Sequence, residues 1–304
     1  MRLAVTGTVN AAIFDSYLLQ CQPCIQGTDG ELVLDLSSAD WGYPSGLVPL
    51  ASLMRALSGQ GVTVRVDSYP DKSVCSYYCR MGFFNLIGAN SPCRQVRGGT
   101  GEGRFIEITE LRHPQIEAEK RTKLVGLLRR LPEGVNATGV SRSSFIDACG
   151  ELVSNTRHAY EARIDNTIGT RPPALLQAQF YPKRGLVEFC VSDCGLGIKR
   201  SMEGEHGAQP FTSHLDAIDA ALAFRNKNPM GGGEGIGLSA LHSYIKKNGG
   251  TLRIRSGDAL KVQQGDRRTT STQQLPGWDG TIVTLEIRVE KAADLSRIVK
   301  RLAK

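Results

Sequence analysis

No run of about 18 predominantly apolar residues occurs anywhere in this 304-residue chain, so no membrane span is expected. The first 14 residues also lack the unbroken greasy stretch of a secretion signal. Thr6, Gly7, Thr8 and Asn10 interrupt it, and no cleaved leader is expected. Eight cysteines are too few for a disulfide scaffold of this length; they read as reduced thiols, and the chain as cytoplasmic. No GxxxxGK[ST] is present, which excludes a P-loop as the carrier of phosphates, and there is no internal repeat.

What is present is a globular composition. With 40% hydrophobic and 22% charged residues the chain is not disordered, and its length allows two ordinary domains. Thirty-seven Lys and Arg against 30 Asp and Glu leave +7. That balance suits phosphates, acidic proteins or anionic lipid, but the excess is spread along the chain and names no partner.

Alternating patterns open the chain: ELVLDL at 31–36, a helix from about Ser45 to Leu57, VTVRVD at 62–67, and a helix near Lys72–Cys79. They predict a small α/β layer. From Ile87 to Gly103 the composition turns to Gly, Ser, Pro and Arg, ending GGTGEG. Residues 1–90 are therefore expected to form one domain, 91–103 a linker and 104–304 a second domain. The GGTGEG glycines run into RFIEIT, which alternates as a strand, whereas an anion site wants a helix next. The second domain predicts helices at 114–131, 141–160, 236–248 and 291–303, with strands at 174–181, 185–192, 250–256 and 280–289. Such an order, helices before and within a mainly hairpin-connected sheet, reads as an α+β sandwich.

Four short stretches in that domain concentrate chemistry. In SFIDACGELVSNTRHAY, Phe145, Cys149, Leu152 and Ala159 form an apolar stripe, with Glu151 well away from it. Asn155 follows Glu151 by one helical turn and His158 lies a further turn along. Carboxylate beside carboxamide suits a hydrated Mg²⁺, which prefers oxygen ligands; a solvated helix face is the plain alternative. VSDCGLGI runs a strand into Asp193, with Gly195 and Gly197 beyond it. Those glycines permit a tight turn and close approach to a flat ligand, and Asp193 can accept from an exocyclic amine; an ordinary turn has the same look. GGGEGIGL, with Gly233, Gly235 and Gly237, opens directly into a helix whose unpaired N–H groups suit a polyphosphate or serve as a hinge. DGTIVTLEIRV offers the Thr281 hydroxyl near a pocket floor, or a plain sheet edge.

In the order ExxxN, DxGxG, GxGxGL and GT, over roughly residues 104–290, these stretches resemble the GHKL ATP-binding superfamily, the Bergerat fold of histidine kinases, anti-sigma-factor kinases and gyrase. The resemblance implies a C-terminal Bergerat-type α/β sandwich with a mixed sheet, binding ATP and Mg²⁺. It makes Asn155 the Mg²⁺ ligand and Glu151 the catalytic group that orients or deprotonates the attacking group. It puts Asp193 on the adenine amine, Gly195 and Gly197 at the purine floor, and Gly233, Gly235 and Gly237 at the phosphates. Thr281 completes the adenine contact, His158 stands where a basic phosphate-contacting residue often lies, and residues 198–233 match the ATP lid. Only residues 291–304 follow the last strand, which disfavours the gyrase-type branches, whose lysine comes from a further domain. In TELRHP, Thr109 stands where a histidine kinase carries its phosphoacceptor, and His113 precedes Pro114, a non-helical setting.

Residues 30–88 resemble a STAS domain, the partner class of anti-sigma kinases. Pro44 occupies the usual phosphoacceptor position before Ser45-Gly46-Leu47, leaving Ser45 as the substitute hydroxyl. The expected function is an Mg·ATP-binding regulatory protein that hydrolyses ATP or transfers its γ-phosphoryl to a protein Ser or Thr. The alternative is a nucleotide-gated module that sequesters a protein partner without catalysis. A homo-oligomer is compatible with either. Nucleic-acid binding would rest on the net charge and on Arg267 and Arg268 in an expected loop, and is not favoured. Cys21-x-x-Cys24 with Cys75-x-x-x-Cys79 offers four thiolates for zinc, against simple core packing. A last basic helix, with Leu295, Ile298, Val299 and Leu302 on one side, is expected to dock on the sheet or bind an acidic partner.

Overall fold

The computed structural model describes residues 1–90, 92–93, 104–111, 114–128, 146–153, 156, 173–203, 210–223 and 237–288. Two sheets divide them. The first is parallel, in the order β1 (Arg2–Val9), β2 (Glu31–Gly42), β3 (Thr63–Ser68). Around it lie α1 (Phe14–Gln20), α2 (Gln22–Ile25), α3 (Pro44–Gly59), α4 (Lys72–Arg80) and α5 (Phe83–Leu86). The second sheet has seven strands. Their spatial order is β4 (Phe105–Glu110), β5 (Leu175–Tyr181), β6 (Leu186–Ser192), β10 (Trp278–Arg288), β7 (Thr251–Gly257), β8 (Ala259–Gln264), β9 (Arg268–Thr272). Helices α6 (Pro114–Leu128), α7 (146–153), α8 (Gly197–Glu203), α9 (His214–Leu222) and α10 (Gly237–Asn248) accompany it.

Every pairing in the second sheet is antiparallel, which corrects the expected mixed sheet. The physical reason is connection length: β5–β6 and β7–β8–β9 are joined by tight turns, which only antiparallel neighbours allow. Strand β10 then returns between β6 and β7, running against both.

Side-chain alternation assigns the two faces of this sheet. Leu176, Ala178, Val187, Phe189, Val191, Val283, Leu285 and Ile287 share one core with residues of α6 to α10, among them Leu124, Leu152, Ile198, Ile218 and Leu241. Leu175, Cys190 and Ile282 share the other with the first sheet and its helices. The element in between is α3, whose Leu47, Val48, Leu50, Ala51, Leu53 and Met54 are at most 1% exposed. Pro at its first turn needs no N–H partner there and presets φ. Gly46 lies so close to β1 that a β-carbon would stand 2.4 Å from backbone atoms of Val9 and Asn10.

Polar contacts complete this docking. The Ser45 N–H donates to Glu188 Oε1 at 2.9 Å, and Tyr77 OH donates to Gln179 Oε1 at 2.6 Å. Buried Arg255 reaches Asp15 at 3.0 Å, beside the edge-on pair of Phe14 and Trp278. Ser45, read as a substitute phosphate acceptor, is 3% exposed, so the docked arrangement denies its hydroxyl to a kinase.

Residues 2–9, for which the pattern set no expectation, form a full strand, with Leu3, Val5 and Val9 wholly buried. Two further expectations are corrected. Arg268 begins β9, where a loop was expected, while Arg267 sits in the hairpin turn before it, in a loop as expected. Cys79 and Cys93 are joined in a disulfide, where reduced thiols were expected. The GGTGEG stretch, His113 and the helix at 291–303 lie outside the described residues. Among the described residues no helix is long and apolar enough to cross a membrane.

Glu188 makes the docking sensitive to pH. Burial pushes its carboxyl up to about 7, against the pull of the Ser45 hydrogen bond. The fold thus favours the neutral acid: its contribution is complete below the ordinary carboxylate value and is lost as pH rises through about 7. Urea denaturation of the whole chain should show stability falling by on the order of 3 kcal/mol from this group between about pH 5 and pH 8. In Glu188→Gln that component should vanish; an unaltered pH dependence would refute the assignment.

Candidate functional site

Strand β6 delivers Asp193 to the rim of the second sheet. Its backbone N–H donates to the Thr281 carbonyl at 2.9 Å, which fixes the strand end against β10. The Gly195 N–H then donates to Asp193 Oδ1 at 2.8 Å, closing an Asx turn that directs the chain back toward α8. Asp193 is 8% exposed.

Two glycines make the close approaches that follow possible. Gly197 has φ +73°, and a β-carbon on it would stand 2.9 Å from Ser256 Oγ and 3.2 Å from the Gly280 carbonyl oxygen. Gly280 has φ +137°, and a β-carbon there would stand 2.0 Å from the Asp193 carbonyl oxygen. Ser256, 1% exposed, links the three segments. It accepts from the Ile198 N–H at 2.9 Å, donates to the Gly280 carbonyl at 2.9 Å, and lies 3.4 Å from Thr281 Oγ1. Sequence reasoning missed it, because a serine inside a strand-like TLRIRSG carries no distinguishing signal.

Glu151 and Gly237 meet separately. A β-carbon on Gly237, the first residue of α10, would stand 3.0 Å from Cδ and Oε2 of Glu151. The carboxylate of α7 therefore lies at the start of a 12-residue helix, where the helix dipole favours negative charge. Of the predicted apolar stripe, Cys149 and Leu152 are at most 5% exposed, with Val153 buried beside them, and Phe145 and Ala159 lie outside the described residues. Asn155, His158, Gly233 and Gly235 lie outside the described residues.

The structure thus brings Asp193, Gly195, Gly197 and Thr281 into one contact group and Glu151 with Gly237 into another. Both are built on elements of the core that covers the same sheet face. The described part of the expected lid is packed on the sheet. Ile198, Met202, Ala217, Ile218 and Leu222 are all packed in that core, and Ser213 caps α9 by accepting from the Asp216 N–H.

No protein-family model matches the chain, and no curated protein matches it.

The glycine geometry gives a ranked expectation. Gly197→Ala meets the Ser256 hydroxyl at 2.9 Å and backbone only at 3.2 Å, whereas Gly280→Ala meets backbone at 2.0 Å. Both should destabilise by at least about 1 kcal/mol, Gly280→Ala by more. Urea melts of the two variants check this, and the reverse order would contradict the close packing described.

Proposed function

We propose that the chain is a regulatory protein that binds Mg·ATP on the helix-covered face of its second sheet. It hydrolyses the nucleotide or passes its γ-phosphoryl to a protein Ser or Thr, in the manner of the GHKL proteins whose motifs it resembles. The observation that carries this reading is the convergence of stretches far apart in the chain: Glu151 on Gly237, and Asp193 with Gly197 on Gly280 and Thr281. Each junction has a glycine at its closest approach: a β-carbon would collide with backbone at Gly280 and stand 3.0 Å from the Glu151 carboxylate at Gly237.

The donors suit the ligand. Asp193 is an acceptor for the adenine amine, Gly195 and Gly197 leave the base an unobstructed backbone, and Thr281 adds a hydroxyl on the same side of β10. The start of α10 offers backbone N–H groups to phosphate. Glu151 at that helix start is an anion beside the place assigned to a polyanion, an arrangement that calls for a divalent cation; Asn155, four residues on in the sequence, is the carboxamide the resemblance assigns to share it. When bound, Mg²⁺ would offset phosphate charge. The carboxylate of Glu151 would accept the proton of the attacking hydroxyl or water, and the α10 amides would stabilise charge on the transferred group. The first sheet, similar to a STAS domain, is the regulatory part in this reading.

Glu151→Gln preserves the shape packed against Gly237. It should retain nucleotide binding by calorimetry while turnover drops by more than about a hundredfold. Asn155→Ala should lose the Mg²⁺-dependent share of binding. Full turnover in the first variant would remove Glu151 from the role, and no heat from Mg·ATP with the native chain would end the reading. γ-Labelled ATP with lysate separates released phosphate from labelled protein, and a silent result with intact binding favours the sequestering alternative.

A further inference from the structure

Outside that site, one cluster of reactive side chains stands apart. The sulfurs of Cys75, Cys79 and Cys93 all lie within 4.8 Å of one another. Cys75 and Cys79 are one turn apart on α4, whose orientation is fixed by Asp71 accepting from the Ser73 and Val74 N–H groups. Cys93 approaches from the segment beyond α5, its Sγ 3.9 Å from the Cys75 carbonyl oxygen. This is not the foursome suggested by sequence spacing. Cys21 and Cys24 are at most 1% exposed in the first core, and Cys24 Sγ is engaged with the Glu31 carbonyl.

A disulfide needs two sulfurs, and Cys79 with Cys93 supplies them. The third thiol, Cys75, is redundant for that bond but completes a metal-ligand set. Thiolates on a tetrahedral Zn²⁺ lie about 2.3 Å from the metal and so roughly 3.8 Å from each other. A triad already within 4.8 Å reaches that spacing by small side-chain rotations, once the Cys79–Cys93 bond is opened.

We propose that, in the reduced protein, Cys75, Cys79 and Cys93 form a three-thiolate site for a soft divalent cation, with Zn²⁺ the fitting ion. The fourth tetrahedral position is left to water or a small exogenous thiol. The site is closed by oxidation. A small-molecule disulfide accepts two electrons from the thiolates of Cys79 and Cys93. The Cys79–Cys93 bond forms, two small thiolates leave, and the cation loses two of its three protein ligands. Metal and disulfide are thus alternative ways of tying residue 93 to α4.

The test uses the full chain, reduced and then freed of reductant without air. Titration with Co²⁺ should give thiolate-to-metal charge-transfer absorption saturating at one ion per chain, and Zn²⁺ should abolish it by displacement. In the native sequence, Zn²⁺ should protect Cys75, Cys79 and Cys93 together from alkylation, a readout that needs no variant. Cys93→Ser should lose the absorption and Cys24→Ala should keep it. Adding an oxidised small-molecule disulfide should release the ion as the Cys79–Cys93 bond forms. A reduced chain that shows no charge-transfer band overturns the proposal, as does a band that survives Cys93→Ser or protection that falls on other cysteines. None of these readouts depends on ATP.

Discussion

Strand β6 is buried on both faces, and most of the architecture follows from that constraint. All of its residues are buried, from Leu186 to Ser192. Its odd-numbered members, Val187, Phe189 and Val191, face the helices, while Glu188 and Cys190 face α3 and the first sheet. A one-residue slip in register would exchange the two sets. It would place a carboxyl under the helices and phenylalanine against the N-terminus of α3. The same register ends the strand at Asp193, so the placement of the candidate site and the docking of the first unit are specified together.

The α3 side of that sheet is unusual for a buried surface. It carries Gln177, Glu188, Ser192 and Thr284, all at most 2% exposed. Burying such groups costs free energy unless they find partners. Part of the compensation is direct: Glu188 accepts from the Ser45 N–H at the start of α3, and Thr284 Oγ1 lies 3.5 Å from Cys190 Sγ. Apolar burial along α3 supplies the rest, at about 1.5–3 kcal/mol for each large side chain removed from water. A neutral Glu188 asks less of this compensation than an ionised one, which is why the carboxyl holds its proton near neutrality.

Much of the local structure was legible because periodicity was strong. The helix read from Ser45 to Leu57 and the strands at 62–67, 174–181 and 185–192 recur within a few residues of their observed bounds, while the strand read at 31–36 begins where expected but runs on to Gly42. Strand β1 was missed because Thr6, Gly7 and Thr8 break its apolar pattern; pairing with β2 holds it nonetheless. Strands β8 and β9 were missed because LKVQQ and RTTST have little alternation, and RTTST is an edge strand that needs none. The docking of α3 was not legible at all. A helix buried against two sheets has the same apolar residues as one buried against a single sheet, and only the second partner's position reveals the difference. In the site, glycines were visible as a pattern because only glycine permits those approaches, whereas Ser256 acts through a hydroxyl whose partners are set by tertiary structure.

The loop that follows β6 is held from both sides of the sheet. On one side Gly195 and Gly197 turn it toward Ser256 and Gly280. On the other, the Cys194 thiol meets the Ser52 carbonyl of α3 at 3.8 Å, one residue from Asp193. Five residues back from Asp193, Glu188 holds the N-terminus of α3 through Ser45, two turns from Ser52. A shift of α3 large enough to break the Ser45 contact therefore has a short covalent route to the Asp193 turn, with no flexible segment between them. Close-packed layers resist continuous deformation, so the α3 contacts and the Asp193 turn are set by the same strand end. The geometry at Asp193 is thus held from both units, by Ser52 of the first and by Ser256, Gly280 and Thr281 of the second.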